Sequence, residues 1–232
     1  MNNLIELKNI SKIYYSIKKN IILKKINYKF KKGLIYSLVG PSGSGKSTLL
    51  NLLSLIDKPT NGNVIINNKE INYKDQSKND KIRADKIGIV YQQNNLLTDF
   101  TALENVFIAR LTIEKNEKKA ILDSKKIIQK VGLLHRLNHF PSQLSGGEQQ
   151  RIAISRALVN EPEIILADEP TGSLDHSTAK EIFNILYKLR NKSRLIIYAT
   201  HNRFFANKSD CKLEIFNGNI KISNAKKWHS KI

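Results

Sequence analysis

The residues best suited to chemistry form a glycine-rich segment early in the chain. It contains Gly40, Pro41, Ser42, Gly43, Ser44, Gly45, Lys46 and Ser47, with Thr48 next. This segment is a full match to G-x-x-x-x-G-K-[ST], with an apolar run before it and a leucine-rich helical pattern after it. Its backbone N–H groups and the helix start that follows suit a polyphosphate. Lys46 would reach the β- and γ-phosphates, and the Ser47 hydroxyl would bind Mg²⁺. The segment therefore predicts binding of ATP and Mg²⁺. A flexible Gly/Ser turn would not explain this context.

A second candidate is the pair Asp168 and Glu169, which ends the apolar run 164–167. Such a run predicts a buried parallel strand whose carboxyl end meets the site. Asp168 is placed to hold Mg²⁺, directly or through water, and Glu169 to orient or deprotonate an attacking water. The alternative is an acidic strand end that caps the following helix.

A third candidate is Ser145, Gly146 and Gly147, which open a predicted helix through Leu158. Bare glycine amides beside a serine hydroxyl suit a γ-phosphate. An ordinary N-cap would explain the serine, but not two glycines that disfavour helix by about 1 kcal/mol each. One chain has no obvious need for two anion-binding helix starts, so we expect two copies to face each other and share the ligand.

The remaining pattern predicts an α/β protein. Strands are expected within 2–34, at 62–73 as an antiparallel element, and at 87–91, 164–167, 195–199 and 213–216. Residues 75–86 predict a surface helix or loop, 117–131 a helix, and Asn217–Gly218 a hairpin turn. We expect a single domain in which 1–94 and 156–232 form the core and 95–155 a helical insertion.

Together these motifs resemble, over nearly all 232 residues, the ATP-binding subunit of an ABC transporter. The resemblance implies a P-loop NTPase core with a small antiparallel β subdomain and an inserted helical subdomain. It also implies roles for single residues. Tyr14 would stack on adenine, although Tyr15 is an alternative. Gln92 would sense Mg²⁺ and act in catalysis, the loop ending in Asp175 would cross to the other subunit, and His201 would contact the γ-phosphate.

One position departs from the family pattern. Many relatives carry Asp after the switch histidine, whereas this chain has Asn202. A neutral amide loses the charge and keeps hydrogen-bonding capacity, which puts the orientation of His201 in question.

Residues 91–106 and 131–142 are similar to the lipoprotein-releasing ATPases, in a group that includes macrolide-efflux-like and division-linked ATPases. The resemblance implies two integral membrane subunits as partners, and release of lipoproteins from the inner membrane toward the outer membrane. Macrolide-type efflux or a division role is the alternative. A soluble ABC ATPase acting on nucleic acid or the ribosome usually carries two ATPase halves or extra insertions, which this sequence lacks.

The composition limits the cellular location and the kinds of partner that we expect. A single cysteine, Cys211, suits a reducing cytosol, and no apolar run approaches the ~20 residues that span a bilayer. Residues 1–8 contain no signal core. The formal net charge is +19, but the lysines are scattered, so we expect no nucleic-acid partner. The predicted location is the cytoplasmic face of the inner membrane, with peripheral association through partners.

Two segments keep open alternatives. The apolar side chains after Gln92, namely Leu96, Leu97 and Phe100, are either partner contacts or core of the helical insertion. The tail 226–231 holds the only tryptophan, Trp228, and is either a disordered end or an interfacial membrane anchor.

Overall fold

The computed structural model describes residues 3–15 and 19–225, so the predicted tail lies outside the described residues. The strands are β1 (Asn3–Tyr15), β2 (Lys19–Lys31), β3 (Ile35–Val39), β4 (Asn61–Ile66), β5 (Lys69–Glu70), β6 (Ile87–Val90), β7 (Ile164–Asp168), β8 (Leu195–Ala199), β9 (Cys211–Phe216) and β10 (Asn219–Ala225). The helices are α1 (Lys46–Leu53), α2 (Gln76–Lys86), α3 (Ala102–Leu111), α4 (Glu117–Lys130), α5 (Gly146–Leu158), α6 (His176–Lys188) and α7 (Arg203–Ala206).

The larger sheet has six strands in the order β10-β9-β3-β8-β7-β6, and β9, β3, β8, β7 and β6 run parallel. Its central strands are mostly apolar because both faces are covered. Alternate residues of β7 point to opposite sides, so Ile164 and Leu166 share a core with α1, while Ile165 and Ala167 share one with α5 and α6. The sheet therefore brings the carboxyl ends of β3, β8, β7 and β6 to one edge.

The smaller sheet is antiparallel, with the order β2-β1-β4-β5. Its long hairpin, β1 with β2, contains several register shifts, which let it curve. Side chains from its inner face, such as Leu7, Leu23 and Val64, join the core that also contains α1. The predicted α/β core with a small antiparallel subdomain is confirmed.

The helical insertion packs around its own apolar core. Ala102 and Val106 of α3, Ile128 of α4 and Ile152 of α5 are buried together there. α5 then continues to Leu158, which packs under the large sheet. The predicted division at 155/156 falls inside this continuous helix, which serves both parts. The division of the chain into a core and a helical insertion at these residues stays a prediction.

The apolar side chains after Gln92 are partly buried in the helical insertion and partly exposed, as a partner contact would be. Leu96 packs against the helical core, whereas Leu97 is 45% exposed and Phe100 is 40% exposed. Two of the three candidate partner contacts are thus on the surface. Within residues 3–15 and 19–225, no helix is long and apolar enough to cross a membrane.

We expect Gly88→Ala to destabilise the fold. A methyl group at Gly88 in β6 would lie 2.3 Å from the Ala157 carbonyl oxygen of α5, a backbone atom that cannot move alone. Overpacking of this kind costs about 1–3 kcal/mol, which a urea unfolding curve measures. The matched control is Gly172→Ala, whose methyl would meet the movable end of the Gln92 side chain. Equal unfolding midpoints for both variants would contradict this close α5–β6 packing.

Candidate functional site

The glycine-rich loop follows β3 directly and depends on backbone that only glycine adopts easily. Gly40 has φ +149°, and a methyl group there would lie 2.3 Å from the Ile215 carbonyl oxygen of β9. Gly43 and Gly45 also have positive φ, at +75° and +104°. These conformations fold the loop back over the start of α1, which turns its backbone amides inward.

The start of α1 is open to an anion. Its N-cap, Gly45, offers no side-chain cap, and its first turn holds no acidic residue. The loop and first-turn amides donate no hydrogen bond to another described residue; these are the N–H groups of Gly43, Gly45, Lys46, Ser47 and Thr48. Within the described chain the buried Ser44 hydroxyl also has no hydrogen-bond partner. Unpaired donors at a positive helix end form a phosphate site.

Lys46 is buried and turned into its own loop. Its ammonium donates to the carbonyl oxygens of Gly40 at 2.9 Å and Pro41 at 3.0 Å. Ser42 and Ser47 are exposed at the mouth of the loop. These contacts place a positive charge at the predicted phosphate position, and a bound phosphate would compete with the carbonyls for it.

Tyr14 is fixed beside this loop by an anchor that the sequence did not reveal. Its hydroxyl donates to Asp57 at 3.1 Å, and the Lys12 ammonium lies 4.9 Å from the ring centre. Lys12 also donates to Asp57 at 2.7 Å. Burial would raise the pKa of Asp57, but the hydrogen bonds from the Lys12 ammonium, the Lys58 amide and the Tyr14 hydroxyl together outweigh it and hold the pKa below its usual value. Tyr15 is 72% exposed, so Tyr14 is the more firmly held of the two rings.

Asp168, Glu169 and His201 meet at the carboxyl ends of β7 and β8. The Glu169 side chain is buried, with one carboxylate oxygen 3.0 Å from His201 Nε2 and the other accepting the His201 amide at 3.2 Å. The side-chain carboxylate of Asp168 accepts no hydrogen bond from any other described residue. The structure thus joins the predicted base to the predicted switch histidine and leaves the neighbouring carboxylate available.

Glu169 has a backbone conformation unusual for its type. Its φ is +46°, in the left-handed region, where a non-glycine residue costs about 1–3 kcal/mol. Its amide donates to the Ala199 carbonyl of β8, and its carbonyl accepts from Gly172. These bonds hold a turn that directs the carboxylate back across the strand ends toward His201.

Asn202 supports the histidine from the other side. Its side-chain oxygen accepts the amides of Phe204 at 2.9 Å and Phe205 at 3.4 Å and caps α7. Its own amide donates to the Thr200 hydroxyl at 3.1 Å. The neutral residue therefore does the capping that an aspartate would do, and it fixes the backbone next to His201.

Gln92 and Asp175 flank this group. Gln92 follows β6, and its side-chain amide lies against Gly172, three residues before Asp175. Asp175 is exposed and is the N-cap of α6, accepting the amides of Ser177 and Thr178. The Ser177 hydroxyl, which donates at 2.6 Å, is the main reason that the pKa of Asp175 is lowered.

Ser145 and Gly146 are exposed at the start of α5. Ser145 is an N-cap in the ordinary sense, because its hydroxyl accepts the Glu148 amide at 3.3 Å and Glu148 accepts the Ser145 amide at 2.8 Å. The Gly146 and Gly147 amides donate to no other described residue. The capping alternative therefore explains the serine, and two free amides remain for an anion.

Gly147 has a packing reason that sequence analysis missed. It is buried, and a methyl group there would lie 2.5 Å from Thr178 Cγ2 of α6. Gly146 lies near Leu174, 3.6 Å from its added methyl position. The glycine-led helix start and the loop before α6 are thus packed together within one chain.

The predicted residues form two separate groups. One group is at the sheet edge and comprises the loop, Tyr14, Gln92, Asp168, Glu169 and His201. The other comprises Ser145–Gly147 with the start of α6, and no hydrogen bond or ion pair within the described chain joins it to the glycine-rich loop. Sequence analysis missed Lys12 and Asp57, which have no motif, and also Glu148, which the pattern Ser-x-x-Glu could have indicated.

The donors predicted for Mg²⁺ are a hydroxyl, an amide and a carboxylate, from Ser47, Gln92 and Asp168. Hard oxygen ligands suit Mg²⁺, which keeps several waters and shares substrate phosphates. Across residues 3–15 and 19–225 there is no cluster of three or more His, Cys, Asp or Glu residues that could hold a metal. This donor set fits an ion held jointly with a nucleotide.

The fold and this arrangement define a class of protein. The family model for the ABC transporter matches residues 23–172. The dimeric cassette MJ0796, solved in a post-hydrolysis state with ADP and Pi, has a TM-score of 0.89 and 38% identity, covering 96% of this chain and 99% of that one. A second dimeric MJ0796 structure, of a bacterial ABC transporter cassette, has a TM-score of 0.86 and 40% identity, covering 94% of this chain and 97% of that one. The chain belongs to the ABC transporter family and is an ATP-hydrolysing enzyme.

Three curated relatives share one name. The lipoprotein-releasing system ATP-binding protein LolD of Rickettsia bellii is 45% identical over 96% of this chain and 99% of that protein. LolD of Rickettsia prowazekii is 47% identical, covering 96% and 100%. LolD of Wigglesworthia glossinidia brevipalpis is 44% identical, covering 97% and 100%. Within ABC ATPases, the chain belongs to the LolD family.

Gly147→Ala should lower stability, whereas Gly146→Ala should leave it unchanged or higher. Both changes remove a glycine from a helix, which favours folding by up to about 1 kcal/mol. Only the Gly147 methyl meets Thr178, a β-branched residue with few alternative rotamers, at an expected cost of about 1–3 kcal/mol. Thermal unfolding of the two variants without nucleotide measures the difference. A stabilised Gly147→Ala protein would contradict the packing explanation.

Proposed function

We propose that this chain is the ATPase subunit of a lipoprotein-releasing ABC transporter and that it works as a nucleotide-sandwich dimer. ATP lies between the glycine-rich loop of one copy and Ser145–Gly147 of the other. Tyr14 stacks on the adenine, and Asp175 reaches across the dimer interface. Two integral membrane subunits bind the pair on the cytoplasmic face of the inner membrane.

The observation that carries the dimer is that one chain has two incomplete anion sites, with no hydrogen bond or ion pair of the described residues joining them. The loop and α1 offer unpaired amides at the sheet edge, and α5 offers unpaired Gly146 and Gly147 amides elsewhere on the same chain. One phosphate chain needs both sets to be fully surrounded, and a two-fold pair supplies each set from a different copy. The dimeric state of both MJ0796 structures supports this arrangement.

Hydrolysis then depends on Glu169. Its carboxylate is buried at the end of β7 and is positioned by the left-handed turn, so it can accept a proton from a water aligned with the γ-phosphate. His201, 3.0 Å away, turns from this carboxylate to donate to the γ-phosphate. Mg²⁺, held by Ser47, Gln92 and Asp168, would neutralise phosphate charge.

A groove next to Gln92 suits the membrane partner. It has a volume of about 850 Å³ and is lined by α2, β6, α3 and α5, including Tyr91 and Arg156. Arg156 donates to the carbonyls of Asn94 at 2.8 Å and Asn95 at 2.7 Å, so the groove wall is bonded to the segment that follows Gln92. A partner seated there would sense movement of that segment when ATP binds, with the exposed Leu97 and Phe100 farther along the same segment.

The cargo assignment depends on the LolD relatives, which match this chain over nearly its full length at 44–47% identity. Lipoproteins would be released from the inner membrane toward the outer membrane without touching this subunit. The alternatives are macrolide-type efflux and an FtsE-like division role. The purification and release experiment below distinguishes them from lipoprotein release.

Glu169→Gln should reduce ATP turnover by about 10²–10⁴-fold and spare nucleotide binding, because general-base assistance is lost while the loop is intact. Ser145→Arg should also be inactive, because the arginine blocks the anion site at α5. An equal mixture of the two variants should regain about a quarter of normal turnover. Random pairing makes half of the dimers mixed, and each mixed dimer has one intact composite site.

Steady-state phosphate release measures this recovery. Each variant at twice the concentration, without the other, is the control. A mixture that stays as inactive as its components would contradict the shared site.

Purification of the tagged chain from native membranes should recover two integral membrane proteins with it. In vesicles that contain this chain and the two membrane proteins, a lipoprotein should be released into solution when ATP is added. The Glu169→Gln variant should abolish this release. Recovery of a division complex, or release of a small hydrophobic drug and no lipoprotein, would reject the cargo assignment.

A further inference from the structure

The start of α5 is occupied by a charge from its own helix. Glu148 accepts the Ser145 amide at 2.8 Å, and its own amide donates to the Ser145 hydroxyl. The bond from the Ser145 amide is the main reason that the pKa of Glu148 is lowered, and the Ser145 hydroxyl and Arg136 contribute. An ionised carboxylate therefore lies at the helix start to which the proposed function brings a γ-phosphate.

This distinguishes α5 from α1. The phosphate-binding start of α1 has no acidic residue in its first turn, whereas α5 has Glu148. A carboxylate at a helix start favours the isolated helix, but it repels an anion that approaches the same amides. It also competes with that anion for the Ser145 hydroxyl proton.

Arg136 compensates for this charge. Its Nε donates at 3.1 Å to Oε1 of Glu148, the oxygen that does not accept the Ser145 amide. The Glu148 side chain is only 14% exposed. The other end of the guanidinium lies 3.0 Å from His139 Nε2, and the His139 carbonyl accepts the first amide of α3. The arginine is thus anchored to the body of the helical insertion, not free in solvent.

We propose that Arg136 is a positioning residue that neutralises Glu148 and holds it to one side, so that the α5 start can accept the γ-phosphate of the facing copy. This rests on the proposed nucleotide-sandwich dimer. The pair sets how much ATP is needed to close the dimer, and neither residue touches the reacting atoms.

The chain contains a matched control. Thr101 and Glu104 form the same capping box at the start of α3, with the Thr101 amide donating to Glu104 at 2.7 Å. No arginine or lysine pairs with Glu104 among the described residues, and nothing places a phosphate there. Glutamine preserves a capping box, so Glu148→Gln and Glu104→Gln remove equal charge and keep equivalent helix starts.

The test measures the ATP concentration that half-dimerises the full chain by analytical ultracentrifugation, with Mg²⁺ present and Glu169→Gln preventing turnover. Arg136→Gln should raise this concentration about tenfold, and Arg136→Lys should remove most of that rise. Glu148→Gln should lower it about threefold, and adding Arg136→Gln to Glu148→Gln should then have little effect. Glu104→Gln should match the parent.

Two controls separate this role from a structural one. The affinity of the monomer for MgADP, measured calorimetrically, should be the same in all variants, because the glycine-rich loop is untouched. The effect of Arg136→Gln should also shrink at high salt, because the α5 start at Ser145 and Gly146 is exposed and salt screens the repulsion of an anion there.

The inference would be overturned if Arg136→Gln raised the half-dimerising ATP concentration equally with Glu148 and with Gln at position 148. It would also be overturned if Glu148→Gln left that concentration unchanged. Neither result would contradict the dimer. If the Glu169→Gln parent stays monomeric at saturating ATP, the proposed function fails, and this inference fails with it.

Discussion

Backbone amides left without partners at two helix starts are the constraint on which the rest of the molecule depends. A helix cannot satisfy its first N–H groups internally, and a buried or semi-buried donor without a partner is costly. At α1 the chain avoids every capping group, and at α5 it leaves Gly146 and Gly147 open. The fold keeps these ends stable through packing on the sheet, so the missing hydrogen bonds can come from a ligand.

The parallel sheet converts separate sequence motifs into one site. Strand ends at β3, β8, β7 and β6 lie side by side because parallel pairing aligns their carboxyl ends. The loop, Glu169 and His201 are far apart in sequence, yet each needs only one or two residues beyond its strand to reach the edge. The left-handed turn at Glu169 is the one costly conformation in this group, and it directs the carboxylate to the histidine.

Helix α5 connects the site to the helical insertion. Its first turn carries the glycines, its middle is buried in the insertion, and Leu158 packs under the sheet. Gly88 and Gly147 allow the helix to lie close to β6 and α6. Arg156 bonds the same helix to the segment after Gln92. A shift of the insertion would therefore move the proposed α5 anion site and the proposed partner groove together, which is the coupling that an ATP-driven transporter requires.

The sequence by itself determined the parts of the site whose chemistry depends on residue type and local order. The glycine-rich loop, the Asp168–Glu169 strand end and the helix starting at Ser145 each have local signals, because backbone conformation and capping act over a few residues. Periodicity also indicated most strands and the helix at 117–131, and the family resemblance implied the small antiparallel subdomain. Tertiary structure decided what depends on distant neighbours: the Lys12–Asp57 anchor of Tyr14, the Thr178 contact that requires Gly147, and the Arg136–Glu148 pair. It also decided that α5 crosses the predicted boundary at 155/156. Such contacts join residues with no fixed spacing, so only the folded chain brings them together.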